Sequence, residues 1–217
     1  TSRGLGDVYK RQMYPIQRNR RLRQSPALRQ LVSENQLTCN DLMLPLFITE
    51  GTEVKDPIAA MPGCYRLSLD LLRKELKAIT DLGIKAILLF VKVEDALKDN
   101  KGTEAVNPEG LMQKAIRKVK SITPQIVVMT DVALDPYSSY GHDGIVEDAK
   151  ILNDSTVEVL SKMALSHALA GADFVAPSDM MDGRVLSIRT ELDQAGFTDT
   201  CLLYTSDAAD ERSSVDL

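Results

Sequence analysis

Three carboxylates and one imidazole follow a short apolar segment near the middle of the chain. The segment, residues 125–130, reads QIVVMT and has the length and the β-branched composition of a buried strand. The polar stretch after it contains Asp131, Asp135, His142 and Asp143. A buried strand that leads into a polar loop is where α/β proteins often place chemistry. A solvated turn rich in Asp and Gly has the same composition, so the loop alone leaves both interpretations open.

The side chains of this loop suit a hard cation. Carboxylates such as Asp135 and Asp143 favour Mg²⁺, whereas zinc would favour thiolates or more imidazoles. His142 has the chemistry to donate a proton or bind a metal, but a single loop histidine more often only forms hydrogen bonds. The loop therefore predicts a magnesium site more readily than a zinc site.

A second polar cluster follows the next apolar segment, residues 172–177. It contains Ser178 and Asp179 in the sequence PSDMMDGR, which ends at Arg184. Ser178 lacks the G-x-S-x-G context of an activated nucleophile, so we expect it to donate a hydrogen bond. Lys92 lies near the end of another strand-like segment, and a lysine there is expected to reach solvent.

The segments that position these residues alternate between strand and helix patterns. Strands are predicted at residues 43–48, 84–93, 125–130 and 172–177, and helices from Ser68, Pro108, Asn153 and Val185. A short helix is also predicted at residues 26–32. Continuous apolar strands indicate a parallel sheet that is covered on both faces.

Two α/β architectures fit this alternation, namely an open doubly wound sheet and part of an eightfold barrel. No G-x-G-x-x-G or Walker loop follows the first strand, which weakens a nucleotide-binding sheet. Residues 43–200 hold four strand–helix units, whereas a complete barrel takes about 250 residues. The pattern therefore corresponds to half a barrel.

Composition excludes several classes of protein. The 217 residues are 44% hydrophobic, which suits one domain, and no apolar run approaches the roughly 18 residues of a membrane span. Neither a membrane partner nor a secretory signal is indicated. Cys39, Cys64 and Cys201 are widely spaced and are expected to be reduced thiols in the cytoplasm.

Charge is distributed unevenly. Residues 1–30 carry eight basic side chains and one acidic one, a balance of +7, while the remaining residues carry 18 basic and 30 acidic ones, a balance of −12. A basic arm could bind nucleic acid or the acidic body of a neighbouring subunit. Since the arm has no nucleic-acid motif and no interleaved aromatic residues, we do not expect a nucleic-acid partner.

Both ends of the chain look foreign. Residues 1–12 (TSRGLGDVYKRQ) precede a methionine, and residues 201–217 (CLLYTSDAADERSSVDL) interrupt the pattern where another strand is due. Both resemble translated sequencing adapters, so we exclude them from the fold. The predicted organisation is an arm with a short helix at residues 13–40 and the first half of a barrel at residues 41–200.

Two long motifs carry a family resemblance. DVALDPYSS with GHDG, followed by APSDMMDGRV, resembles the porphobilinogen synthase (5-aminolevulinate dehydratase) family. The openings RRLR, PALR and DLMLPLFI are also similar, so the resemblance runs from about Met13 to Thr200. It implies the first four units of a (β/α)₈ TIM barrel with an N-terminal arm that wraps a partner subunit, commonly in a homo-octamer. The implied reaction joins two 5-aminolevulinate molecules into porphobilinogen with loss of two waters, in the cytoplasm or, in a eukaryote, a plastid.

The resemblance also implies roles for individual residues. Zinc-type members carry cysteines at the places of Ala133, Asp135 and Asp143, so this chain resembles the magnesium type. Asp135 and Asp143 would then bind Mg²⁺ in the loop, with His142 in support. Asp131 and Ser178 would line the substrate site. Asp179, through water, and Arg184 would belong to an outer magnesium site.

One departure from the family concerns catalysis itself. The two lysines that form Schiff bases with the substrate lie beyond Thr200 in the family, where this chain runs into the foreign-looking tail. Lys92 matches neither lysine motif. We therefore expect the printed polypeptide to be inactive, and its fourth strand to leave an unpaired edge and a poorly packed half-barrel. The alternatives are another class I (Schiff-base) barrel aldolase and a non-catalytic assembly or binding module.

Overall fold

Ser25 and Pro26 begin the first α-helix among the described residues. The computed structural model describes Pro15 and residues 18–204, so the predictions for residues 1–12 and 205–217 lie outside the described residues. The chain divides into one unit that ends at Thr38 and a second that begins at Cys39. In the first unit, α1 (Pro26–Leu31) has Pro at its first position, and the Ser25 hydroxyl accepts a hydrogen bond of 3.2 Å from the Leu28 amide. The predicted short helix is confirmed.

The second unit alternates strands and helices as predicted. Its main elements are β1 (Met43–Thr49), α2 (Leu72–Asp81), β4 (Ala86–Lys92), α3 (Leu111–Ile122), β5 (Val127–Val132), α4 (Asn153–Ala170), β8 (Phe174–Pro177), α5 (Arg184–Gln194) and β9 (Cys201–Leu202). Two short hairpins add β2 (Lys55–Pro57) with β3 (Tyr65–Leu67), and β6 (Val146–Glu147) with β7 (Lys150–Ile151).

The larger sheet has the strand order β2-β3-β1-β4-β5-β8-β9. The run from β1 through β4, β5 and β8 to β9 is parallel throughout, which confirms the predicted parallel α/β arrangement. Thr49 is in register with Lys92, and Asp131 with Ala176. The strands therefore end at one common edge, and the loops that follow them meet there.

Alternate strand residues build the hydrophobic core beneath this edge. Ile48, Ile87 and Leu89 are fully buried against Leu72 and Ile116 of the helices. A second cluster packs β5 and β8 against α4 and α5; among its members are Val132, Val175, Leu160, Ile188 and Leu192. Burial of these side chains holds each helix on the outer face of the sheet.

Two local predictions in the first third of the second unit are wrong. No strand was predicted between residues 50 and 67, but this segment contains β2 and β3, and β3 pairs with β1 in parallel. Ser68 was predicted to cap a helix. Its buried hydroxyl instead accepts a hydrogen bond of 2.9 Å from the Val54 amide, and the helix begins only at Leu72. The Ser68 hydroxyl therefore accepts a hydrogen bond from the residue just before β2 and does not cap the helix.

The predicted unpaired edge on the fourth main strand is also wrong. Cys201 and Leu202 pair in parallel with Phe174 and Val175. The Arg189 guanidinium donates to the carbonyls of Phe197 (2.9 Å) and Thr200 (2.7 Å), which brings the chain alongside β8. The sheet therefore continues past the boundary predicted at Thr200. The foreign origin of residues 201–217 stays a prediction.

Candidate active site

A cleft of about 550 Å³ lies at the carboxyl ends of the parallel strands. Its wall includes Phe47, Phe90, Lys92, Lys98, Arg66 and the predicted site residues Asp131, Asp135, Asp143 and Ser178. Four of the seven site residues predicted from the sequence thus share one cavity. The common edge of the sheet brings them together, because they follow β5 and β8, which are neighbours.

Asp131 and Ser178 form the best-defined contact in the cleft. Asp131 lies near the end of β5, and Ser178 directly follows β8. The Ser178 hydroxyl donates a hydrogen bond of 2.5 Å to Asp131 Oδ1. Ser178 is therefore a hydrogen-bond donor, as predicted, and it fixes the orientation of the carboxylate.

The carboxyl group of Asp131 titrates close to neutral pH. The pKa of Asp131 is raised to about 6: burial is the largest cause and the negative charges of Asp135, Asp143 and Asp179 add to it, while the Ser178 hydrogen bond opposes the shift. A carboxyl with this pKa is populated in both protonation states under ordinary conditions. It is suited to general acid–base chemistry.

Asp135 and Asp143 place two more carboxylates on the cleft wall. Burial raises the pKa of Asp135, Asp143 raises it further, and the Lys98 ammonium lowers it. Within the described part of the chain, no three His, Cys, Asp or Glu side chains gather in a metal-binding group. Mg²⁺ is commonly held by one or two carboxylates and several waters. A pair of aspartates that repel each other fits such an ion, whereas a thiolate-free cleft does not fit structural zinc.

His142 lies in the same loop but is absent from the cleft wall. Its side chain is half-buried, and its Nδ1 atom is enclosed without a hydrogen-bond partner among the described residues. His142 thus neighbours Asp143 along the chain without lining the cleft. Its supporting role stays a prediction.

Asp179 and Arg184 form a separate pair behind the cleft. The buried Asp179 carboxylate accepts a hydrogen bond of 2.7 Å from the Met181 amide and lies 3.2 Å from Arg184 Nε. Arg184 also donates to the Met181 carbonyl at 2.7 Å. Burial raises the pKa of Asp179. The two residues meet and brace the turn after β8, but neither lines the cavity, and their place in an outer magnesium site stays a prediction.

The sequence analysis missed the aromatic and most of the cationic parts of the cleft. Phe47 and Phe90 stack with ring centroids 5.3 Å apart. Arg66 comes from the unpredicted strand β3, and Lys98, whose Nζ lies 2.8 Å from Asp95 Oδ1, comes from the loop after β4. Lys92 is exposed, as expected, but it is exposed at the cleft wall. For Phe90 and Lys92, the position near the end of a predicted strand could have indicated a place at the cleft. The sequence carries no comparable signal for the other residues.

Comparison with known proteins gives one consistent result. A family model described as delta-aminolevulinic acid dehydratase matches residues 16–209. The chain is 53% identical over 193 residues to the chloroplastic delta-aminolevulinic acid dehydratase of Selaginella martensii, covering 87% of this chain and 46% of the relative. It is 48% identical over 193 residues to the delta-aminolevulinic acid dehydratase of Methanothermus sociabilis, covering 89% of this chain and 59% of the relative. The chain thus spans about half the length of these relatives.

A solved structure supports the same conclusion. The delta-aminolevulinic acid dehydratase (porphobilinogen synthase) of Toxoplasma gondii ME49, in complex with the reaction product porphobilinogen, matches with a TM-score of 0.83 and 49% sequence identity. The match covers 89% of this chain and 57% of the other. The predicted fold, a part of the barrel of this family, is confirmed.

Proposed function

The chain belongs to the delta-aminolevulinic acid dehydratase family, and we propose that its cleft forms part of the site at which the whole enzyme condenses two 5-aminolevulinate molecules into porphobilinogen. The Asp131–Ser178 contact carries the proposal. Joining two amino ketones with loss of two waters requires repeated proton transfers. A carboxyl whose pKa is raised to about 6, held by a 2.5 Å hydrogen bond at the strand ends, is suited to make them.

The rest of the cleft suits a small substrate that carries charges of both signs. Asp131, Asp135 and Asp143 offer negative charge, while Lys92 and Lys98 offer positive charge on the same wall. The stacked rings of Phe47 and Phe90 provide an apolar surface that excludes water from one side. An amino ketone with a carboxylate at its other end, such as 5-aminolevulinate, matches this distribution.

Magnesium is the metal that we propose for the loop. Asp135 and Asp143 would hold it with waters completing the coordination, because no third described carboxylate, thiolate or imidazole joins them. A bound magnesium ion would polarise an oxygen ligand as a Lewis acid. Asp179 and Arg184 are proposed to belong to an outer magnesium site. The buried Asp179 carboxylate, which is paired with Arg184, would contact the ion through water.

Turnover is proposed to need residues that the printed chain lacks. By resemblance to the family, two lysines on later barrel strands form the Schiff bases, and the described residues offer only Lys92 and Lys98 on the cleft wall. Neither matches a family lysine motif. We therefore expect this 217-residue chain to bind substrate without forming porphobilinogen.

Assembly and location are proposed on the same basis. The basic residues 1–30 and the acidic remainder of the chain have complementary charge, which supports a homo-oligomer, an octamer by resemblance, in which the arm contacts a neighbouring subunit. The Selaginella relative is chloroplastic, so a plastid is proposed for a plant source and the cytoplasm otherwise. No helix within the described residues is both long and apolar enough to cross a membrane.

The decisive experiment reads the uninterrupted gene beyond Thr200 and assays its full-length product. Two lysines on later strands, and porphobilinogen formation that is lost on chelation and restored by Mg²⁺, would support the proposal. Absence of both lysines would overturn the enzyme assignment. Restoration by Zn²⁺ alone would overturn the magnesium assignment and leave the reaction intact.

A further inference from the structure

The segment after β4 holds the first half of the loop that carries Asp135 and Asp143, called here the aspartate-bearing loop. The Asp99 amide donates to the Tyr137 carbonyl at 3.2 Å, and the Ser139 amide donates to the Asp99 carbonyl at 3.1 Å. The Asp99 carboxylate in turn accepts hydrogen bonds from the amides of Lys101 (2.9 Å) and Thr103 (3.0 Å). These bonds within the segment fix its conformation independently of its contacts with the loop.

Asn100 holds the second half of the same loop with its side chain alone. Its Nδ2 donates to the Val146 carbonyl at 2.8 Å, and its Oδ1 accepts from the Val146 amide at 3.0 Å. A carboxamide presents an N–H donor and a carbonyl acceptor side by side in one plane. The Asn100 side chain therefore pairs with the backbone of Val146 in β6 as a residue of a neighbouring strand would. The tip between Ser139 and Val146, which carries Asp143, is thus held at both ends.

The packing around Gly144 restricts the tip further. A Cβ added at Gly144 would lie 2.5 Å from Ile151 Cγ2, so the backbone runs directly against β7. The Ile145 amide donates at 3.0 Å to the hydroxyl of the buried Thr156, which itself donates to the Leu152 carbonyl at 2.6 Å. These contacts fix where the loop returns, and among the hydrogen bonds of the described residues only those of Asn100 tie Val146 to the segment after β4.

Asn153 makes the same pair of bonds to the next loop. Its Oδ1 accepts from the Asp182 amide at 2.8 Å, and its Nδ2 donates to the Asp182 carbonyl at 3.1 Å. Asp182 belongs to the turn that begins with Ser178 and Asp179. Asn153 is the first residue of α4, so it ties this turn to the end of the aspartate-bearing loop.

We propose that Asn100 and Asn153 are positioning residues of the active site. Asn100 holds Asp143 beside Asp135, and Asn153 holds the turn that places Ser178 against Asp131. Neither asparagine lines the cleft, so each acts only through the loop that it pairs with. The proposal rests on the proposed function for the roles of the aspartates, while the fixing of the loops rests on the hydrogen bonds alone.

Amide hydrogen exchange and Mg²⁺ titration of the 217-residue chain test the proposal. Asn100→Ala removes both bonds to Val146, and Asn100→Asp keeps the acceptor but loses the donor. Asn153→Ala is the matched control, since it removes the same kind of bond pair from the other loop. We expect Asn100→Ala to raise exchange at Val146 and in residues 139–146 by about tenfold or more, with Asn100→Asp intermediate. We expect Asn153→Ala to do the same in residues 178–183 only.

Magnesium affinity, measured by calorimetry, reports on Asp143 directly. Asn100→Ala is expected to weaken Mg²⁺ binding by about threefold or more, because the two carboxylates are no longer held together, while Asn153→Ala changes it less than about twofold. Unchanged exchange at Val146, equal effects of both alanine variants on residues 139–146, or unchanged Mg²⁺ affinity in Asn100→Ala would each overturn the proposal. If the alanine variant does not fold, the near-isosteric Asn100→Asp supplies the comparison. A wild-type chain that binds no Mg²⁺ would contradict the proposed metal, and the exchange pattern would still decide the positioning role.

Discussion

The hydrogen bond between Ser178 and Asp131 sets the proton affinity of the carboxyl at the centre of the cleft. A hydrogen bond to a carboxylate stabilises its charged form and lowers its pKa. Three neighbouring aspartates and burial act in the opposite direction and leave the pKa of Asp131 at about 6. The balance between these contributions can be shifted in either direction by single substitutions.

Ser178→Ala is expected to raise the pKa of Asp131 above about 6, because burial and the neighbouring charges then act unopposed. Asp143→Asn is expected to lower it, because one repelling charge is removed. Titration of the Asp131 carboxyl carbon by NMR measures both shifts. Shifts of the same sign in the two variants would contradict the structure's account of this site.

His167, which does not line the cleft, provides a second residue-scale prediction. It is fully buried in α4, its Nδ1 lies 3.0 Å from Thr130 Oγ1, and burial lowers its pKa to about 3. An unfolded histidine has a pKa of about 6.5. Between these two pKa values the histidine binds a proton in the unfolded chain but not in the folded chain. This contribution to stability is therefore complete above pH 6.5 and is lost as the pH falls towards 3.

The free energy of unfolding, measured in urea from pH 7 to pH 4, tests this prediction. The wild-type chain should lose up to about 1.4 kcal/mol per pH unit more than His167→Asn, in which the amide replaces Nδ1 and cannot titrate. Carboxyl groups such as Asp131 titrate in both proteins, so their contribution cancels when the two slopes of unfolding free energy against pH are compared. Equal slopes would mean that His167 is not protonated on unfolding in this range.

At the scale of elements, Arg189 decides whether the sheet extends beyond β8. Its two hydrogen bonds to the carbonyls of Phe197 and Thr200, together with an ion pair of 2.6 Å to Asp193, hold the turn that delivers β9. Arg189→Ala is expected to cost about 1–3 kcal/mol and to increase amide exchange at Cys201 and Leu203, which donate to Asp173 and Val175.

Arg117→Ala is the matched control for this prediction. Arg117 also bonds a carbonyl, that of Pro108 at 2.8 Å, and an acidic side chain, but it does so on the surface, from the middle of α3 to the segment before the helix. Its removal should cost less than about 0.5 kcal/mol and leave β9 unchanged. Similar losses in both variants would show that the Arg189 bonds do not hold the strand.

The same elements show what the sequence could and could not predict. The buried strands β4, β5 and β8 were predicted because their apolar runs are continuous, and the cleft aspartates because they follow those runs. The strand β3 and its Arg66 were missed, because a three-residue strand that closely follows Pro62 and Gly63 has no periodicity to detect. The strand β9 was missed because residues 201–217 were excluded from the fold as foreign, and because its position depends on a side chain eleven residues before Thr200, Arg189.

At the scale of the whole molecule, the proposed magnesium site would make stability depend on the metal. Burial is the main cause of the raised pKa values of Asp131 and Asp135, and repulsion from the neighbouring aspartates of the cleft adds to it in the folded state. A cation that binds between Asp135 and Asp143 removes part of this repulsion and binds only where folding has assembled the loop. Ligand binding of this kind stabilises the folded state by mass action.

We therefore expect Mg²⁺ to raise the unfolding free energy of the 217-residue chain, by about 2.7 kcal/mol at one hundred times its dissociation constant. The variant with Asp135→Asn and Asp143→Asn should be more stable than wild type in a chelator, since its repulsion is gone, and should not respond to Mg²⁺. Urea unfolding with and without the metal separates the two effects. An equal response of wild type and variant would place the ion elsewhere on the molecule, and a variant less stable than wild type in the chelator would mean that these carboxylates hold the loop rather than strain it.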